Sequence, residues 1–442
     1  MRITQRAQKI EPFYVMEVAK AASALAAQSA QTDKPMIFLN IGEPDFSAPP
    51  LVQEAGQRAI RAGHTQYTQA TGLAPLREHI SAWYASRFNV QVPARRIVLT
   101  AGASAALQLA CLALVEAGDE ILMPDPSYPC NRQFVSAAEG TAKLIACTPQ
   151  ERFQLTAAKV EAAWADNARG DADLKTRGDA DVKTRGGADV KTRGDADVKT
   201  RGVLLASPSN PTGTSIHPDE LRRIHNVVST RGGVTMIDEI YLGLSHDATF
   251  GQTALEIDDQ IISINSFSKY FGMTGWRLGW LVVPDALVSV VERLAQNLYI
   301  CPSTVSQHAA LACFESASMT EYEKRRAEFK ARRDYFIPAL RSLGFEVPVE
   351  PDGAFYVYAD CSKILSKLGV QAALGNGAST NINAGIGGSW DFCFEMMHRA
   401  HVAITPGRDF GTDSTHQFVR FSTASSMADL QTAVARMQKV LA

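Results

Sequence analysis

An excess of charge of either sign, a cysteine framework and long apolar runs are all missing from this chain of 442 residues. Its 44 basic and 46 acidic residues nearly cancel, so neither a nucleic acid nor an anionic membrane surface is an expected partner. No run of about 18 apolar residues is present to span a bilayer. Seven cysteines are scattered from Cys111 to Cys393 without a C-x-x-C, which excludes a disulfide framework and fits a reduced, cytoplasmic setting. The first nine residues are polar and charged, unlike a secretory signal. What remains is 46% hydrophobic content in a chain too long for one core, so two domains and a small, zwitterionic substrate are expected.

One stretch organises the rest. Apolar runs at residues 261–264 and 280–283 read as buried strands, and the polar turn between them carries Lys269 and Arg277. A lysine at the end of a buried strand is partly desolvated, which favours the neutral amine and makes it a nucleophile toward an aldehyde. The guanidinium eight residues on is a planar fork suited to phosphate. An aldehyde that carries a phosphate is pyridoxal phosphate. The plain alternative is a lysine and an arginine that solvate a turn. Ser266-Phe267-Ser268-Lys269 also matches the S-x-x-K of serine acyl-transferases, but their S-D-N and K-T-G partners are absent from the chain.

Ser266-x-Ser268-Lys269-x-x-Gly272, followed by Gly275-Trp276-Arg277-Leu278-Gly279, resembles the lysine signature of the class I aminotransferases, fold type I of the pyridoxal-phosphate enzymes. The resemblance extends through most of the chain, and it implies a role at each matching position. The Gly42-Glu43-Pro44-Asp45-Phe46 turn would lie over the substrate, with the Gly42 amide on its carboxylate. Tyr67, otherwise a surface tyrosine, would reach the cofactor phosphate of a partner subunit, which implies a homodimer with shared sites. Tyr128, after the strand at 120–123, would stack on the pyridine ring. Asn210, in Ser207-x-Ser209-Asn210-Pro211-Thr212-Gly213, and Tyr241 would contact the phenolic oxygen. Arg420, alone among apolar neighbours in the strand at 418–422, would hold the substrate carboxylate; an internal salt bridge is the alternative.

Two positions carry their own physical argument. Residues 101–104 are a small-residue turn that opens an apolar helix, so Gly102, Ala103 and Ser104 offer free N–H groups at the positive end of a dipole, where phosphate binds. Asp238 ends an apolar strand, where an unpaired carboxylate is costly and a protonated ring nitrogen would be a partner. Gly102, Tyr128, Asn210, Asp238 and Lys269 each follow a predicted strand in alternating strand and helix units. In a mostly parallel sheet those ends share one edge, the ligand-binding edge of open α/β folds.

The expected fold is α/β: a large domain with a mostly parallel sheet flanked by helices, and a smaller α+β domain formed by the N-terminal segment and the C-terminal part. The boundaries are placed at 1–46 for the N-terminal segment, 47–298 for the large domain and 299–442 for the C-terminal part. In the last, residues 345–349 and 351–358 read as two strands around a Pro-Asp-Gly turn. An eight-residue repeat at 170–201 has too little apolar surface to fold and reads as an expanded surface loop. Residues 368–388, rich in Gly, Ala and Asn, read as a flexible insertion. Glu395, His398 and His401 share a helical spacing but read as solvated, and no metal is expected.

By the resemblance, Lys269 would form a Schiff base with the cofactor and carry the proton that moves an amino group from an L-amino acid to a 2-oxo acid. No second cationic residue is identifiable in a side-chain pocket, and Phe13 and Tyr14 stand near the expected entrance, which leans toward neutral or aromatic donors. Other fold type I reactions, such as β-elimination by a C–S lyase or decarboxylation, use the same core motifs and stay open. A regulator with an aminotransferase-like domain would need a DNA-binding module, for which the segment before Gly42 leaves no room.

Overall fold

The computed structural model describes residues 2–12, 14–29, 34–164, 199–367 and 388–442. The repeat up to residue 198, the insertion up to residue 387 and Phe13 lie outside the described residues.

Short continuous apolar runs become the strands of one seven-stranded sheet. Its strands are β2 (Ile97–Thr100), β3 (Asp119–Asp125), β4 (Thr141–Ala146), β5 (Lys199–Ala206), β6 (Val234–Asp238), β7 (Ile262–Ser266) and β8 (Gly279–Val282), β1 (Ile37–Phe38) lying elsewhere. The order is β2-β8-β7-β6-β5-β3-β4, parallel throughout except for β8, which runs antiparallel to both neighbours. Both faces are covered, as such runs require. Val98, Ile264 and Leu281 pack with Leu107 and Leu109 of the helix Ala103–Leu114 on one face. The alternate residues Leu99, Trp280 and Val282 pack on the other with the helices Pro50–Arg61 and Ala74–Phe88.

The smaller domain joins the two ends of the chain. β9 (Tyr356–Asp360), β11 (Thr405–Pro406) and β12 (Phe418–Ser422) form an antiparallel sheet in the order β11-β12-β9, while β1 pairs in parallel with β10 (Val402–Ala403). Val357, Ala359, Val419 and Phe421 face Phe336 and Leu340 of the long helix Ser316–Ser342 and Leu430 of the helix Met427–Leu441. Ser426 caps that last helix by accepting from the Asp429 amide at 3.1 Å.

Several elements differ from the sequence reading. Residues 345–349 do not form a strand; Phe345 and Val347 are buried, which gives the alternation, but only Glu346 bridges to Asp360, and Pro348 has no N–H to extend the ladder. The apolar run at 36–39 gives only the two residues of β1, because β10, its partner, is no longer than that. β5 starts at Lys199, so the final copy of the repeat ends inside the sheet: Lys199 donates to Gly118, and Thr200 lies against Glu120. Glu395, His398 and His401 do not share an α-helical face, since residues Met396–Ala400 widen into a π turn and His401 follows at φ 55°. Among the described residues no His, Cys, Asp and Glu cluster could hold a metal.

Candidate active site

β2, β3, β5, β6 and β7 all run in the same direction, so Gly102, Tyr128, Asn210, Asp238 and Lys269 emerge at one edge of the sheet. All but Gly102 line a single cavity of about 550 Å³, closed on the far side by Gly42 and Arg420 of the smaller domain. Ala103, Ser104, Tyr241, Ser266 and Arg277 line it as well.

Lys269 is partly buried and its Nζ donates to the carbonyl of Gly42. Burial lowers its pKa from 10.5 to about 8, with Arg420 and Arg277 pushing the same way and Glu43 and Asp238 opposing them. Asp238, at the end of β6, is buried and accepts the Ile240 amide at 3.1 Å. Among the described residues it has no ion-pair partner, and burial raises its carboxyl from 3.8 to about 7. Glu239, next in the chain, points away into a closed network of the Ser263 and Thr253 hydroxyls at 2.6 and 2.8 Å and the Ala254 amide at 2.7 Å. Two consecutive carboxyl groups thus differ in role by side: one faces the cavity, the other anchors the strand.

Arg420 is 2% exposed in the middle of β12. It donates to Asn210 Oδ1 at 2.8 Å, to the Asn40 carbonyl at 2.7 Å and to Thr405 Oγ1 at 3.3 Å. No carboxylate among the described residues pairs with it, so the internal salt bridge left open by the sequence is absent there. Its Nε is buried without a partner, and a buried guanidinium in that state favours an incoming anion.

A separate corner gathers a helix start, two hydroxyls and a second guanidinium. Gly102 precedes the helix Ala103–Leu114 at φ 85°, and a Cβ there would lie 2.6 Å from Nη2 of Arg277, so only glycine lets the guanidinium approach. The Ser266 and Ser268 hydroxyls, 2.9 Å apart, complete the corner beside the free amides of the helix start.

Tyr67 is the one expected residue far from this cavity. It is 79% exposed and borders a different depression with His64 and His308. Tyr14 is also turned away: it lies against Arg408 and Trp390, and the same helix, Tyr14–Ser29, offers Val15, Met16 and Ala19 to the cavity instead. The loop at 407–413 fixes that helix, because Asp409 accepts the Tyr14 and Val15 amides at 3.2 and 2.7 Å. Neither Asp409 nor Tyr356, which joins Tyr241 to Arg420, is evident from the sequence. The alternation of Tyr356 and Tyr358 with Val357 and Ala359 signals two differently buried faces but not what the polar tips meet.

Residues 34–437 match the family model described as aminotransferase class I and II. The chain belongs to that family. It is therefore a transaminase of the pyridoxal-phosphate-dependent fold type I superfamily, acting through a Schiff base. A valine–pyruvate aminotransferase of Mycobacterium tuberculosis is 34% identical over 97% of this chain and 96% of its own length. An aspartate aminotransferase of Rhizobium meliloti is 30% identical over 98% and 95%. Among solved structures, an aminotransferase from Mycobacterium tuberculosis superposes with a TM-score of 0.82 at 34% identity, covering 100% of this chain and 99% of that one.

Proposed function

We propose that this transaminase takes its amino group from a neutral L-amino acid, on pyridoxal phosphate held by Lys269, and passes it to a small 2-oxo acid. The observation that carries the reading is the cavity itself. It sets around one space a lysine whose pKa burial lowers to about 8, and a buried carboxyl and a buried arginine that form no ion pair among the described residues.

The residues fit the cofactor. A buried Asp238 that forms no ion pair among the described residues suits a protonated ring nitrogen, and the Gly102 corner that a Cβ would fill suits a phosphate. In this reading Gly102, Ala103, Ser104, Ser266 and Arg277 hold the phosphate, Tyr128 stacks on the ring, and Asn210 and Tyr241 meet the phenolic oxygen. When bound, pyridoxal phosphate supplies an aldehyde for the amine and a ring that withdraws electrons. Lys269, with its lowered pKa, takes and returns a proton at Nζ near neutral pH. Arg420 and the Gly42 amide orient the substrate carboxylate, and Asn210 keeps the guanidinium in place.

Part of the cavity lining is apolar: Val15, Met16, Ala19, Ile41 and Leu107. It suits aliphatic side chains, in line with the valine–pyruvate relative, and adds no cation for a second carboxylate. Tyr67, exposed in one copy, reaches the phosphate of the partner subunit in a homodimer; a fully active monomer in sedimentation would refute this. Seven free cysteines, and no described helix long and apolar enough to cross a membrane, support a cytoplasmic setting.

The test is the visible spectrum of the purified protein with a panel of amino acids, beside Lys269→Ala. We expect a yellow protein whose band is lost with valine or alanine and restored by 2-oxo acids, and no such band change in the variant. Dominance of aspartate would overturn the neutral donor. Release of pyruvate or ammonia without an added 2-oxo acid would favour β-elimination.

A further inference from the structure

Tyr356 touches three of the groups assigned above, and none of those assignments includes it. It begins β9 and is 1% exposed. Its hydroxyl lies 2.8 Å from that of Tyr241. Its ring lies 4.5 Å below the Arg420 guanidinium carbon. The same hydroxyl fills the space beside Gly42, where a Cβ would lie only 2.3 Å from it.

We propose that Tyr356 is a positioning residue with two separable parts: its ring holds the Arg420 guanidinium flat for the substrate carboxylate, and its hydroxyl orients that of Tyr241 toward the cofactor. The inference rests on the proposed roles of Arg420 and Tyr241. A phenol has one proton to give, so in a pair of tyrosines one donates and the other is free to donate elsewhere. Tyr356 is the donor in this arrangement, because its ring lies against the Arg420 cation, which eases the sharing of its proton. Tyr241 then keeps its own proton for the phenolic oxygen, and the pair acts as a short relay of hydrogen bonds that strengthen one another. The titratable groups that face the pair are Arg420, Tyr128, Asp238 and Lys269. The hydrogen bond that the structure gives the Tyr241 hydroxyl is the one to Tyr356, and removal of the Tyr356 oxygen takes it away.

Gly42 belongs to the same device. Its missing side chain admits the hydroxyl, while the ring carbons of Tyr356 would stand 3.4 and 3.6 Å from an added Cβ, an ordinary contact. An alanine at 42 therefore clashes with the oxygen alone.

The experiment compares Tyr356→Phe, Tyr356→Leu, Gly42→Ala and the double variant Gly42→Ala with Tyr356→Phe, all as holoenzyme. Tyr356→Phe keeps the ring and loses the oxygen. It should raise the pH midpoint of the visible band by at least half a unit and leave KM for the amino acid within twofold. Tyr356→Leu should show the same spectral shift and, in addition, a KM raised fivefold or more. Gly42→Ala should impair turnover in the wild-type background, and Tyr356→Phe should reverse most of that loss. A band whose midpoint is unmoved in Tyr356→Phe, or a Gly42→Ala defect that the second change does not relieve, overturns the role of the hydroxyl. An unchanged KM in Tyr356→Leu overturns the role of the ring. A wild type without a visible band would instead refute the cofactor reading, and with it the inference.

Discussion

Arg420 in the smaller domain donates to Asn210 Oδ1 of the larger one at 2.8 Å. The bond brings the end of β5 and the middle of β12 to the same point, so the two domains are joined there by a direct side-chain hydrogen bond. Any anion that binds Arg420 does so against an amide already fixed by the larger domain.

Arg420→Lys should keep the charge and lose the fork. Lysine cannot reach Asn210 and Asn40 and also present two parallel N–H groups to a carboxylate. Hydrogen bonds to charged groups are worth roughly 1.5–3 kcal/mol, so KM for the amino acid should rise about 10- to 10²-fold with a much smaller fall in kcat. Initial rates over a range of donor concentration will show the split; a fall confined to kcat would place Arg420 away from the substrate carboxylate.

Burial raises the Asp238 carboxyl from 3.8 to about 7. Between these values the native cofactor-free protein binds more protons than the unfolded chain, so its stability falls as pH rises through that window and stays low above it. Each unit of the rise corresponds to roughly 1.4 kcal/mol. Asp238→Asn removes the penalty and still accepts the Ile240 amide. The cofactor-free variant should therefore melt roughly 2–4 °C or more above the wild type at alkaline pH, with the gain fading near the ordinary carboxyl pKa, while transamination is lost. Thermal melts across pH decide it: a variant less stable than the wild type above neutrality would contradict the assignment of a strained, unpaired carboxylate.

Asp409 accepts two amides at the start of the helix Tyr14–Ser29, across 394 residues of chain. Asp409→Asn can keep one of them, because its nitrogen does not accept. Loss of a helix cap costs roughly 0.5–2 kcal/mol, and here the helix carries Val15, Met16 and Ala19 into the cavity. KM should rise for donors with branched apolar side chains more than for alanine. An equal rise for every donor would mean that the helix does not shape the side-chain pocket.

The lysine turn, the small-residue turn before residue 105 and the acid at the end of β6 were legible because each is local. A handful of neighbours in sequence dictates a strand, its end and a charged or open group just beyond it. The alternating strands and helices further required those ends to share an edge, and they do. Residues 345–349 misled for an equally local reason: their alternating burial is that of a strand, but strand formation needs a partner ladder, which pattern alone does not supply.

From the sequence itself came the class of sheet, the lysine turn, the small-residue turn and the lone arginine, since strand period, turn chemistry and the cost of a buried charge act over a few residues. The tertiary structure alone decided what stands opposite them. That Val15 and not Tyr14 lines the cavity, that Asp409 holds the helix and that Tyr356 lies between Tyr241 and Arg420 all depend on segments hundreds of residues apart. Their contacts follow from how two domains pack, and packing is a property of shapes in three dimensions that spacing along the chain does not encode.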